Sequence, residues 1–194
     1  MRAEHSSPPA VSRLRRRVRA GLLLLALAFA GTPYQAARAS DRADSRDVKA
    51  VFLINFLSFA EWPPAKMRPP SSRLTIAILG DPSFAAIVER AAAGHAVSGH
   101  AISVQSVDTP EQATDAHLVF IASSQARRLP AALRALAGST VLTVGDTDGF
   151  AQDGVAINLY TFDNRVRIEV NSTAAARAGV RLSANLMRLA RIVE

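Results

Sequence analysis

Residues 73–94 read RLTIAILGDPSFAAIVERAAAG, and the fold turns on how this stretch divides. LTIAIL is a short, continuous apolar run closed by Gly-Asp-Pro, which predicts a strand buried on both sides. Asp81 can accept from the free N–H groups of a helix start. Pro82 suits the first turn, where its missing N–H costs nothing. SFAAIVERAAAG carries helical spacing and stops at Gly94. A buried strand feeding straight into a helix is the repeating unit of a parallel sheet.

The same alternation extends outward. AISVQSV (101–107) has period two and predicts a strand; TPEQATDA is a short capped helix, and HLVFIA (117–122) a second buried strand. SSQARRLPAALRALAG predicts a helix ending at Gly138 and perturbed near Leu129 by Pro130. TVLTVG (140–145) is a third buried strand, followed by the turn-rich DTDGFAQDG. VAINLYTF and RVRIEVN flank Asp163-Asn164, a hairpin signal. STAAARAGVRLSANLMRLARIV predicts one or two helices broken near Gly179. Upstream, Val48 to Trp62 has helical spacing and ends at Pro63-Pro64, with MRPPSS as a linker loop. The expected fold is a single α/β domain, with a central, mostly parallel sheet, helices on both faces and an antiparallel hairpin at one edge.

The N-terminus reads differently. RLRRRVR (13–19) precedes the apolar GLLLLALAFA (21–30), and Ala37-Arg38-Ala39 gives the small-x-small pattern of a signal-peptidase site. About ten apolar residues fall well short of the roughly 20 needed to span a bilayer. The expectation is a secretory signal over 1–39 cut after Ala39, a loose polar leader over 40–47, and a folded domain over 48–194; a cut after Ala30 also fits. Removing residues 1–39 takes away seven Arg and Glu4, so 23 basic and 16 acidic residues become 16 and 15. The strong basicity therefore belongs to the export signal and gives no ground for nucleic-acid binding. The chain has no cysteine. That excludes a disulfide framework, a cysteine nucleophile and a thiolate metal site.

No motif assembles into a catalytic or cofactor site. The ILGDPSF turn has one Gly rather than a phosphate-binding glycine pattern, and Pro82 removes a donor. Asp146, Asp148 and Asp153 sit in a Gly-containing loop that lacks the further ligands of a calcium loop. His95, His100 and His117 share no metal-ligand spacing, and His100 and His117 read as solvated strand ends. Ser123-Ser124 lack the nucleophile elbow. The expectation is a non-enzyme with no cofactor and no metal.

Five stretches in fixed order carry a resemblance: KAVFLINFLSFAEWP (49–63), LTIAILGDPSF (74–84), HLVFIASSQ (117–125), VLTVGDTDGFAQDGVAINLYTFDNRVRIEVN (141–171) and AGVRLSANLMRLARIV (178–193). With them the chain resembles the YfiR family over nearly all of its expected mature length. The resemblance implies regulation rather than catalysis: a periplasmic α/β protein that represses a membrane-bound diguanylate cyclase through the cyclase's periplasmic domain. It also implies an outer-membrane lipoprotein that can sequester the repressor, and dimers. Other members sit beside sensor kinases or receptors, so the inner-membrane partner is a cyclase or a kinase. Well-known members carry cysteine pairs, and this chain has none. The alternative is a periplasmic small-ligand binder using the strand ends at 79–82 and 144–148. For a partner contact, the expected residues are Phe59, Glu61 and Trp62 at the helix end, with Arg165, Arg167 and Glu169 of the hairpin. Against this stands the plainer possibility that Trp62 packs the helix end and the hairpin charges discourage strand pairing.

Overall fold

The structure is a computed structural model and describes residues 33–67, 72–163 and 165–193, with side chains from Ser45 onward. The expected export-signal segments over 13–30 lie outside the described residues. In chain order the elements are α1 (Pro33–Phe59), β1 (Ala60–Glu61), β2 (Leu74–Leu79), α2 (Pro82–Ala92), β3 (Ala96–Val97), β4 (His100–Val107), a 3-10 turn (Pro110–Ala113) and β5 (Leu118–Ile121). A second 3-10 turn (Ser123–Arg128), α3 (Leu129–Ala135), β6 (Leu142–Gly145), β7 (Ile157–Phe162) and β8 (Arg165–Asn171) follow. The chain closes with α4 (Ser172–Arg177), β9 (Arg181–Leu182), α5 (Ala184–Leu189) and β10 (Arg191–Val193).

The strand in the opening stretch is central. β2 pairs in parallel with β4 on one side and β5 on the other, and five of its six residues are buried. The eight-stranded sheet runs β10-β8-β7-β6-β5-β2-β4-β3. β2, β4, β5, β6 and β7 are parallel, β8 returns antiparallel to β7, and β10 lies along the outer side of β8. The local chemistry of the β2–α2 turn is as the sequence implies. The Asp81 carboxylate accepts from the Phe84 N–H at 2.9 Å, and Gly94 ends the helix with φ +75°.

Both faces of the sheet are covered. Alternate residues of β5 send Leu118 and Phe120 into a core with Leu53, Phe56 and Leu57 of α1, Phe84 and Val88 of α2, and Leu186 of α5. Val119 and Ile121 point the other way, into a second core with Leu129 and Ala132 of α3. Period two in the strand thus feeds two helix layers.

α1 differs from its sequence pattern at both ends. It begins at Pro33 and runs through 40–47, the polar segment expected as a leader. No Gly or Pro interrupts residues 34–59, and Arg46 anchors onto Asp81 at 3.1 Å and Ser83 at 2.9 Å. It ends at Phe59, three residues before the expected stop, because Ala60 and Glu61 become extended to pair antiparallel with Leu182 and Arg181. Burial is on one broad face: Ala50, Leu53, Ile54 and Leu57 are inside, while Val48 and Val51 remain 44% and 51% exposed. The segment around Pro130 is two elements rather than one helix, with Pro130 in the first turn of α3.

Candidate functional site

From Arg46 onward α1 leads from the carboxyl ends of the strands to the Glu61-Trp62-Pro63 corner. At the carboxyl ends of the strands, Arg46 pairs with Asp81 beyond β2, and Lys49 with Asp146 beyond β6 at 2.8 Å. Burial alone would raise the Asp81 carboxyl. The Ser83 hydroxyl, the Phe84 N–H and the Arg46 guanidinium outweigh it and hold Asp81 below the usual carboxylate range. The crevice left there, between Lys49, Phe84, Phe120 and Ser123, measures about 30 Å³. That is room for ordered water rather than for an organic ligand. This is where open α/β sheets usually bind ligands. Here two α1 side chains fill it. Asp146 is thereby an ion-pair partner of Lys49, while Asp148 and Asp153 are exposed in the following turns.

At the other end the helix delivers the Glu61-Trp62-Pro63 corner. Trp62 is 8% exposed, so it belongs to the core of the protomer. Its indole N–H donates to the His117 carbonyl at 3.1 Å, and its ring meets the His117 imidazole edge-on at 5.6 Å and 81°. His117, expected as a solvated strand end, is 5% exposed. Trp62 covers it, a long-range contact with no local sequence signal. His117 Nδ1 accepts from the Thr75 N–H at 3.1 Å, which leaves the proton of the neutral ring on Nε2, an atom with no partner among the described residues. Burial and the nearby Lys66 cation hold this imidazole below its ordinary pKa; a contact with the Lys66 backbone opposes them, and His100 adds to them. His95 is exposed, with Nδ1 near the Ala93 carbonyl, and His100 Nδ1 lies 2.8 Å from the Ser72 carbonyl.

Around the corner lies a groove of about 730 Å³, lined among others by Glu61, Trp62, Pro63, Arg181, Leu182 and Met187. Phe59 is half-buried against the core, and its carbonyl accepts from the Ser183 N–H at 2.8 Å. Glu61 and Arg181 face one another at 3.6 Å on the rim, both largely solvated. Such a pair contributes little to stability and leaves both charges available to a partner.

The hairpin residues go elsewhere. Strand register sets Arg167 opposite Tyr160 and Glu169 opposite Asn158, alternating with Ile168 opposite Leu159 and Val170 opposite Ile157. The Ile, Leu and Val residues belong to the core that contains Trp62. Arg165, Arg167 and Glu169 therefore point to the opposite face, and the six expected contact residues divide between two faces rather than sharing one. Arg165 and Arg167 are exposed. Glu169 is 3% exposed: it accepts from Asn158 Nδ2 at 3.1 Å and pairs with Arg191 of β10. The Arg191 guanidinium also lies 5.1 Å over the Tyr160 ring. Arg191 carries no signal of this role in the sequence, because its short strand follows directly on a helical pattern.

Among the described residues no helix is long and apolar enough to cross a membrane, and no group of three or more His, Asp or Glu could hold a metal ion. No curated protein matches the chain. Among solved structures, a conserved domain protein from Vibrio cholerae O1 biovar El Tor aligns with a TM-score of 0.50 at 13% identity, over 62% of this chain and 55% of that one. This likeness concerns the fold, and the chain spans about half of that protein's length. An ABC domain from Streptococcus pneumonia, solved in complex with L-Trp, aligns at a TM-score of 0.45 and 11% identity, over 65% of this chain and 56% of that one. The family model described as YfiR/HmsC-like matches residues 46–191, from the Arg46 anchor of α1 to Arg191 of β10. The chain belongs to the YfiR/HmsC-like family.

Proposed function

We propose that the protein is a periplasmic regulator in cyclic di-GMP signalling. It docks on the periplasmic domain of an inner-membrane diguanylate cyclase or sensor kinase and holds that protein in its off state. The observation that carries the reading is the family match over residues 46–191, which covers the sheet from β2 to the first residue of β10. Two features support it. The strand-end crevice, the place for a small ligand under the alternative reading, is filled by Arg46 and Lys49. The groove beside Glu61 and Arg181 offers an apolar floor with a charged rim, the composition of a protein-binding patch. A regulator of this kind acts by binding one state of its partner better than the other, which shifts the partner's equilibrium without chemistry. An outer-membrane lipoprotein competing for the same regulator would relieve the repression, and a homodimer would set its valency.

Export is part of the reading. The mature chain begins at Ser40, which intact-mass measurement of the periplasmic protein checks. The functional test is deletion of the gene with measurement of cellular cyclic di-GMP. A severalfold rise is expected, and an unchanged level overturns the repressor reading.

A further inference from the structure

The hairpin face turned away from the main core has a repeating composition. Phe162 lies opposite Arg165, Tyr160 opposite Arg167, and Asn158 opposite Glu169, which is in turn level with Arg191 of β10. Each rung pairs a β7 side chain with a β8 charge. Successive rungs are two residues apart, about 6.8 Å along the strand. We propose that this face is a docking strip for an extended, acid-rich segment of the membrane partner, with carboxylates at alternate residues. The proposal rests on the regulatory reading above and names the chemistry by which one of its surfaces recognises the partner.

Three observations carry it. First, the strip already holds one carboxylate in the manner proposed. Glu169 is paired by Arg191, whose guanidinium lies over Tyr160. Second, the two remaining arginines are exposed, and among the described residues neither has an ion-pair partner. The exposed acid of the hairpin, Asp163, sits in the turn beyond the last rung with φ +49°. An extended segment with acids at i and i+2 repeats every ~6.8 Å, so consecutive carboxylates reach Arg165 and Arg167 together. Third, Phe162 is 57% exposed beside these charges. Arginines that only discouraged strand pairing would not need an exposed ring, whereas an aromatic–arginine pair is the usual composition of a contact that contributes binding energy. An anionic lipid surface fits less well. Juxtamembrane lipid patches gather about 4–8 basic residues, and here two are unengaged.

The test uses the mature chain from Ser40 onward and a fluorescein-labelled peptide of alternating Glu and Thr, followed by fluorescence anisotropy at low salt. Comparators are the corresponding Lys-Thr peptide, a peptide of the same composition with its Glu residues in one block, and phosphatidylglycerol vesicles. Binding of the alternating acidic peptide is expected, with the block peptide weaker and the Lys-Thr peptide silent. R165E/R167E should weaken binding about tenfold or more and F162A about threefold, the wild-type thermal midpoint being retained. R165Q/R167Q, with a smaller expected loss, keeps the test decisive should charge reversal disturb folding. Equal affinity of wild type and both double variants overturns the proposal. So does arginine-dependent uptake on the vesicles without peptide binding. In cells, deletion raising cyclic di-GMP while R165E/R167E holds the wild-type level sinks this proposal and leaves the regulatory reading standing. An unchanged level on deletion sinks that reading itself.

Discussion

Trp62 and His117 exchange more than a contact: each makes the other's burial tolerable. The indole N–H needs an acceptor once inside, and the His117 carbonyl supplies it. Trp62→Phe keeps most of the apolar area but loses this bond and leaves space, so it should cost about 1–3 kcal/mol in urea unfolding. The imidazole pays for its place in pH dependence. Its folded pKa is lowered, so the unfolded chain binds the proton first as pH falls through the ordinary value of about 6.5. Stability from this group is therefore complete above about pH 6.5 and is lost progressively below it, down to the folded value. The urea midpoint of the wild type should fall between neutral and mildly acid pH. His117→Asn can still accept from Thr75 and should flatten that part of the profile while lowering stability throughout. A wild-type midpoint that does not move would contradict a buried neutral His117. At the other residue-scale pair, Arg191→Ala leaves Glu169 buried with only Asn158, an expected loss of about 1–3 kcal/mol, reduced because the guanidinium is itself partly solvated. Arg191→Lys should recover part of it.

α1 illustrates what periodicity can and cannot say about an element. Apolar residues on nearly every side imply burial on more than one face, yet the sheet covers only the side of Ala50, Leu53, Ile54 and Leu57. Leu53→Ala should accordingly cost about 2–4 kcal/mol, whereas Val51→Lys on the open side should stay within about 0.5 kcal/mol of wild type. Equal losses for the two would mean that the helix is covered on both sides in solution. At the end of β6, a Cβ on Gly145 would stand 2.5 Å from the Phe150 ring. Gly145→Ala should therefore destabilise by about 1–3 kcal/mol through overpacking, with thermal denaturation as the measurement. Gly80 is constrained twice, by φ +85° and by Ser124 and Gln125, each 2.6 Å from where a Cβ would sit. Local signals read these turns correctly as turns. They did not foresee β10, because Arg191-Ile-Val is three residues at the end of a helical pattern. What makes it a strand is the parallel edge of β8.

For the whole molecule, the order of strands and helices was legible because each strand's hydrophobic run is a local property. LTIAIL, LVFI and LTVG are buried on both faces and say so in their composition. The Asp81 cap, the Gly94 stop and the hairpin across Asp163 are likewise written in neighbouring residues. Of the candidate surfaces, Glu61 and the two arginines could be named in advance, since exposed charges at a helix end or in a hairpin carry their own signal. Their distribution could not. Side-chain alternation sent Arg165 and Arg167 to the face opposite Trp62 only once β8 had its register against β7. The sequence by itself determined the α/β class, the parallel centre of the sheet and the family signature, because the apolar runs, caps and turn residues that signal them are patterns of neighbouring residues. Only the tertiary structure decided that Trp62 is core, that Glu169 is a buried partner of Arg191, and that Arg46 and Lys49 fill the strand-end crevice. Those contacts join residues 22 to 97 positions apart, and whether a polar side chain is buried depends on which distant group arrives to pair with it.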